Sequence, residues 1–312
     1  MAPPSESRDA STLAPDDAFT LLGNETRIAI LRALWEAYEP YEDGNAVRFS
    51  TLYDRVGADD SGNFNYHLGK LTGHFVRRVE DGYTLAAPGF EVIRALVAGG
   101  ATETATLDPS EVDATCPRCA SALAASYEDG TMWLRCTGCV GYWPRRDGTV
   151  FGFGLPPAGL RDRDPDEVFA ATVAYSVRRF ETMVDGVCPE CGGPTDASLS
   201  VCANHDASDG ICDECDVAFC GVVRLECSAC RFAWRSPSYA PALSHPAVVA
   251  FYHDHGVDHN PASWPAIRHG LEWREELDSP DPPRVRLHLD RDGDELAMTV
   301  DANAVAVVAA DR

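Results

Sequence analysis

Lysine is nearly absent from this chain. Lys70 is the only lysine among 26 basic residues, set against 30 Asp and 19 Glu, for a formal charge of −23. An ordinary acidic protein keeps its lysines. An Asp-rich sequence stripped of Lys is the pattern of a multimolar-salt cytoplasm, where scattered carboxylates keep a densely screened surface hydrated. In that setting the net charge does not exclude a nucleic-acid partner, because repulsion at molar salt is screened to about 3 Å. Also missing is any run near the ~18 apolar residues that a membrane span needs. Met1 to Ala14 has no apolar signal-peptide core. The expectation is a cytoplasmic protein with no membrane partner. No cysteine precedes Cys116, which excludes a thiolate site from the first third of the chain. No Ser/His/Asp set, phosphate loop or open three-ligand metal site is recognisable, so an enzyme is not expected.

What is present points to an α+β, multidomain chain. The 312 residues, 45% of them hydrophobic, suggest two or more domains at about 150 residues each. Residues 1–15 are Pro-, Ser- and Ala-rich without period and read as a disordered tail. From 16 to 100 the pattern is mainly helical. After an N-cap at Asn24, Ile28, Leu31, Leu34, Trp35 and Tyr38 recur at helical spacing up to Glu39-Pro40. Ser50 is the expected cap of a second helix that Gly57 ends. A third helix after Asp60-Ser61 turns Phe64, Leu68 and Leu71 inward. Two strands then flank Glu80-Asp81-Gly82, and a last helix carries Phe90, Val92, Ile93, Leu96 and Val97.

Helix, helix, turn, helix, two-stranded wing, helix is the order of a winged helix-turn-helix. Asn24-Glu25-Thr26-Arg27-Ile28-Ala29-Ile30-Leu31, Asn65-Tyr66-His67-Leu68 and Arg77-Arg78-Val79-Glu80-Asp81-Gly82-Tyr83 resemble the ArsR-like winged-helix family, in its haloarchaeal regulator branch. The similarity covers residues 16–100. It implies a dimer that reads double-stranded DNA, with the third helix in the major groove and the wing near the minor groove or backbone. Burial of Phe64, Leu68 and Leu71 leaves Asn63, Tyr66, His67 and Lys70 nearer solvent, with Asn65 flanking. Asn can pair bidentately with adenine, and Lys70 can reach a phosphate or guanine. Tyr66 or His67 could instead pack internally. Arg77 and Arg78 start the wing, and strand alternation points only one of them outward. Metal-sensing members of the family carry cysteines or histidines in this region. Here His67 and His74 are too few for a site.

Residues 101–114 are small, acidic and Thr-rich and read as a linker. Cys116-Pro-Arg-Cys119 and Cys136-Thr-Gly-Cys139 follow, with two alternating runs around Glu128-Asp129-Gly130-Thr131 between them. Each Cys-x-x-Cys turn aims two thiolates at one point, so two turns complete a tetrahedron: a zinc ribbon over 115–155. A connecting helix over 164–185 opens with Asp164-Pro165-Asp166-Glu167, combining N-cap, Pro at N1 and a capping-box Glu. Its stripe of Phe169, Val173, Ser176, Phe180 and Met183 reads as core or a dimer seam. Residues 186–236 hold four ligand pairs, Cys188/Cys191, Cys202/His205, Cys212/Cys215 and Cys227/Cys230, enough for two more zinc ions and about three in the chain.

Two wirings of these pairs are open. Nested, the outer pairs form a ribbon whose tip is an insertion closed by the inner pairs; cross-braced, first joins third and second joins fourth. Strands at Leu199–Val201 and Val222–Leu225 favour nesting. Cys220 is left over, and is the alternative ligand to His205.

Over 240–312 a short helix from His245 to His255, a second between Trp264 and Trp273, and a small antiparallel sheet are expected. His253, His255 and His259 lack a completing ligand at motif spacing and read as ordinary polar histidines. Asp290-Arg-Asp292-Gly-Asp294 has its glycine at the wrong place for a calcium loop and reads as a hairpin turn. The functional expectation is a DNA-binding transcriptional regulator with structural zinc modules in a high-salt cytoplasm. The alternative is a zinc-scaffold protein- or RNA-interaction protein whose winged helix does not read DNA.

Overall fold

A computed structural model describes residues 13–42, 45–145 and 147–308. The tail expected over 1–15 lies mostly outside the described residues, and Pro15 already opens a helix. Among the described residues, no helix is long and apolar enough to cross a membrane. The chain divides into two compact units, Met1–Thr102 and Glu103–Arg312, and mixes helices with several antiparallel sheets.

The first unit runs α1 (Pro15–Leu22), α2 (Glu25–Glu36), α3 (Phe49–Val56), α4 (Ser61–Leu71), β1 (Val76–Val79), β2 (Gly82–Leu85) and α5 (Ala87–Ala98). Asn24 caps α2 by accepting from the Arg27 amide at 3.2 Å. For α3 the expected cap is corrected: Arg48 occupies that position without a side-chain bond, which places Ser50 inside the first turn. Gly57 ends α3 in the left-handed region. Ile30, Leu31 and Leu34 of α2, Leu52, Phe64, Leu68, Leu71 and Ile93 form one buried core. Beside the hairpin, Val47 adds one further rung against β2, exchanging backbone hydrogen bonds of 2.8 and 2.9 Å with Tyr83. Gly82 lies beneath that rung, with a φ of +148°, and a Cβ there would sit 2.3 Å from the Val47 carbonyl oxygen.

The second unit is three antiparallel meanders. β3 (Leu107–Thr115), β4 (Ala122–Glu128), β5 (Thr131–Cys136) and β6 (Thr149–Gly154) pair in chain order. The segment read as a linker over 101–114 is thus corrected: most of it is β3, an edge strand pairing Val112 with Leu123. Next comes α6 (Pro165–Val184), opened by the reciprocal Asp164 and Glu167 hydrogen bonds of a capping box. β7 (Thr195–Val201), β8 (Gly221–Cys227) and β9 (Ala233–Pro237) form the second sheet, with Leu199 opposite Val223. After α7 (Pro246–Asp254) and α8 (Trp264–Glu272), the third sheet pairs β10 (Arg274–Pro280), β11 (Pro283–Arg291), β12 (Asp294–Val300) and β13 (Ala306–Val308). The acidic turn between β11 and β12 carries Asp292 and Gly293 at positive φ, the two-residue geometry that matches strand twist.

These pieces are not beads on a string. Leu123 and Leu134 of the first sheet, Phe169 and Val173 of α6, Val223 and Leu225 of the second, and Leu287 and Met298 of the third share one apolar cluster. The Ser176 stripe of α6 lies inside it. At Gly221 the second sheet comes so near the third that an added Cβ would meet Val285 Cγ2 at 2.7 Å.

Candidate functional site

The ligand residues gather into three quartets, each with its sulfur or nitrogen atoms within 4.8 Å of one another: Cys116, Cys119, Cys136 and Cys139; Cys188, Cys191, Cys227 and Cys230; Cys202, His205, Cys212 and Cys215. The nested wiring is the one present, and His205 rather than Cys220 completes the inner quartet. Sγ atoms 2.3 Å from a tetrahedral zinc stand about 3.8 Å apart. The Cys116–Cys139 and Cys119–Cys136 separations are 3.8 and 3.4 Å, and the Cys188–Cys230 and Cys191–Cys227 separations are both 3.6 Å. His205 turns Nδ1 to Cys215 Sγ at 3.4 Å. All three quartets suit structural zinc.

Local backbone geometry explains why the turns aim their sulfurs together. At Cys116, Cys188, Cys212 and Cys227 the carbonyl accepts from the amide four residues on, and the amide donates to the carbonyl five residues on. The residues at the fourth position, Ala120, Gly192, Asp216 and Arg231, all have positive φ. The same fold of chain is therefore made at four places, three of them without glycine. Backbone amides then point at sulfur: Gly138 to Cys136 at 3.3 Å, Glu190 to Cys188 at 3.4 Å and Cys230 to Cys227 at 3.5 Å. Hydrogen bonds favour the thiolate that a metal needs. Those from Ser121 pull Cys119 down to about 6, those of the Cys230 and Ala229 backbone pull Cys227 to about 6, and those of the Asp206 and Cys215 backbone pull Cys212 to about 7. Burial pushes Cys136 up to about 12, a site where a cation would restore the charged form. His205 has a lowered pKa from burial, opposed by a backbone hydrogen bond with Ala218 that also orients the ring.

Cys220 is buried outside the quartets, its amide donating to Glu275 Oε2 at 2.9 Å. Burial and the Glu275 carboxylate raise its pKa well above the usual thiol range. His255 binds the Phe251 carbonyl at 2.7 Å, and His259 stacks on Tyr252. Neither these two nor His253 joins a metal-ligand cluster among the described residues.

In the first unit, α4 leaves Asn63, Asn65, Tyr66 and Lys70 exposed while Phe64, Leu68 and Leu71 are buried. Asn63, Tyr66 and Lys70 recur at i, i+3 and i+7, one side of the helix, with Lys70 Nζ 5.6 Å from the Tyr66 ring. Two expectations are corrected. His67 is 8% exposed and packs internally, its Nδ1 accepting from Arg27 Nε at 3.2 Å; burial and the guanidinium lower its pKa. Arg77 and Arg78 are both exposed, because a two-stranded hairpin has no layer over its second face. The residue that sequence reading missed is Arg27. Besides His67 it holds the Thr20 and Leu21 carbonyls at 3.1 and 2.9 Å, tying α1 to α4.

The family model described as "Domain of unknown function (DUF7351)" matches residues 113–306, well over half of the chain. The chain belongs to the DUF7351 family. A second model, "Domain of unknown function (DUF7347)", matches residues 15–96. No curated protein and no solved structure matches. The DUF7351 match runs from the end of β3 to the start of β13, so all three quartets and most of the three sheets fall inside one family span. This is the same stretch that shares one core.

Proposed function

We propose that the chain is a DNA-binding transcriptional regulator of the ArsR-like winged-helix kind, working as a homodimer in a high-salt cytoplasm, with three structural zinc ions in its DUF7351 half. One observation carries the reading: α4 presents Asn63, Tyr66 and Lys70 on one side, followed by a hairpin with Arg77 and Arg78 free of cover. In this reading α4 enters the major groove, Asn63 meets base edges, and Lys70, Arg77 and Arg78 meet phosphates. Asn65 flanks the contact, and His67 acts only through the Arg27 bond that seats the helix. Zinc supplies no reaction. It holds the twelve ligand residues in place, as closed four-ligand sites do.

The test is binding to genomic fragments in molar KCl, since a chain of charge −23 is repelled by DNA at low salt. Lys70→Ala and Arg77→Ala should weaken all sites alike. Asn63→Ala should lose roughly 1–3 kcal/mol on the preferred site and relax preference at one or two positions. No preference among fragments, with all three variants matching the parent, sinks the DNA reading and leaves the zinc-scaffold interaction protein in its place.

A further inference from the structure

Within the second unit, β5, β6, α6, β9 and α8 line a half-open cavity of about 310 Å³. Trp133, Trp143, Phe151, Phe153, Phe180 and Trp234 make it strongly aromatic. Yet Ser176 Oγ, Ser236 Oγ and Glu181 Oε1, all belonging to residues that line it, are buried with no hydrogen-bond partner among the described residues. Ser176 is wholly buried and Ser236 is 6% exposed. Folded chains satisfy nearly all such groups internally; in the cavity as it stands these three oxygens are covered, and a turn about a side-chain bond would bring them to a guest that supplies the missing partner. The other Glu181 oxygen is held by Arg178 at 2.8 Å, which offsets its charge and leaves Oε1 as an acceptor. Two more lining residues are cationic. The Arg145 guanidinium lies 4.7 Å from the Trp133 ring and that of Arg235 5.1 Å from Trp143. Among the described residues no carboxylate forms an ion pair with either, in a chain whose acidic groups outnumber its basic ones 49 to 26.

We propose that this cavity binds a small aromatic acid: its ring among the tryptophans and phenylalanines, a ring N–H or O–H donated to Glu181 Oε1, and its carboxylate toward Arg145 and Arg235, with the two serine hydroxyls completing the polar contacts. The volume falls at the lower end for small-molecule sites, about 300–1,000 Å³. The inference stands apart from the DNA reading, because every residue it uses lies within the DUF7351 span and its test involves no DNA.

The test is isothermal titration calorimetry on the zinc-loaded full chain in molar KCl, with indole-3-acetate and 4-hydroxyphenylacetate as probes. At least one acid should bind saturably at one site per chain. Indole-3-acetamide, which lacks the charge, and 1-methylindole-3-acetate, which lacks the donor, should each bind about tenfold more weakly than indole-3-acetate. Arg235→Gln and Arg145→Gln should shrink the preference for acid over amide. Ser176→Ala removes an orphan hydroxyl, so it should keep or raise the thermal midpoint of the free protein while weakening the acid. The proposal is overturned if neither acid gives binding heat, or if acid and amide bind alike. It is equally overturned if Ser176→Ala lowers the midpoint without touching affinity, which would make that hydroxyl purely structural.

Discussion

Replacing Cys136 by Ser should unfold residues 103–312 together while the first unit stays folded, whereas Cys191→Ser should only fray the chain near its own knuckles. Each variant removes one sulfur from a quartet. A structural zinc site is worth roughly 10–16 kcal/mol of apparent binding free energy at neutral pH, which matches or exceeds the whole stability of an ordinary domain, about 5–15 kcal/mol. Where the loss lands depends on what the sulfurs touch. Cys116 and Cys136 lie in the same apolar cluster as α6 and all three sheets. Opening the first quartet therefore uncovers Leu123 and Leu134, and with them the face that α6 packs on. The second quartet is outside that cluster, and its Cys191 and Cys230 are exposed. Its loss frees the segments around 186–195 and 226–233, while Val223 and Leu225 keep their cover. Hydrogen exchange read by mass spectrometry separates the two outcomes, with β11 and β12 as reporters because no cysteine lies near them in sequence. In C136S both strands should exchange freely, and calorimetry should retain a single transition from the first unit. In C191S both strands should stay protected. If β11 and β12 remain protected in C136S, the zinc sites are independent modules and the shared core does not couple them.

Other expectations are more local. Metal analysis of the purified chain should return about three zinc ions, four ligands to each; one or none would refute the assignment of the quartets. His67 has its folded pKa lowered from the ordinary 6.5 by burial and by Arg27, so the unfolded chain takes up the proton first. The first unit should keep full stability above pH 6.5 and lose it progressively as the pH falls below that value; a pH series of urea melts on His67→Gln should show a flatter profile. Gly82→Ala would drive a Cβ into the Val47 carbonyl and should destabilise the first unit by about 1–3 kcal/mol, with an unchanged midpoint refuting the close approach. Asp164→Ala removes the α6 cap, worth about 0.5–2 kcal/mol, and should lower only the transition of the second unit.

Features set by a few neighbouring residues are legible in the sequence. The Cys-x-x-Cys turns, the capping box at Asp164, the Gly57 stop and the two-residue hairpin turns all depend on local spacing and on backbone freedom. The nested wiring rests on a similarly local signal: Leu199–Val201 and Val222–Leu225 alternate, and their strands pair, which brings the flanking knuckles together. What the sequence does not display is tertiary. β3 contains Pro109 and acidic residues, and β10 reads Arg-Glu-Glu-Leu-Asp-Ser-Pro. Both are edge strands with a solvated side, where charge and proline discourage unwanted pairing and also erase the alternation that signals a strand. His67 sits on the α4 surface by helical count, yet Arg27, forty residues away, turns it inward. The single core under three sheets has no signature in any one segment, because each contributes only its own inward residues. Short cysteine-rich stretches therefore look self-sufficient when read one at a time.

The scarcity of lysine has a practical corollary at α4. Lys70 carries the only side-chain amine of the chain, and it stands exposed in the last turn of that helix. Any chemistry selective for side-chain amines, whether an acylating enzyme, a spacer-armed crosslinker or an isotope-coded label, has one address on this protein. That address lies on the surface proposed to meet DNA. Protection of this amine by a bound duplex would give a one-peak footprint, and its acylation would cancel the one lysine charge of the chain.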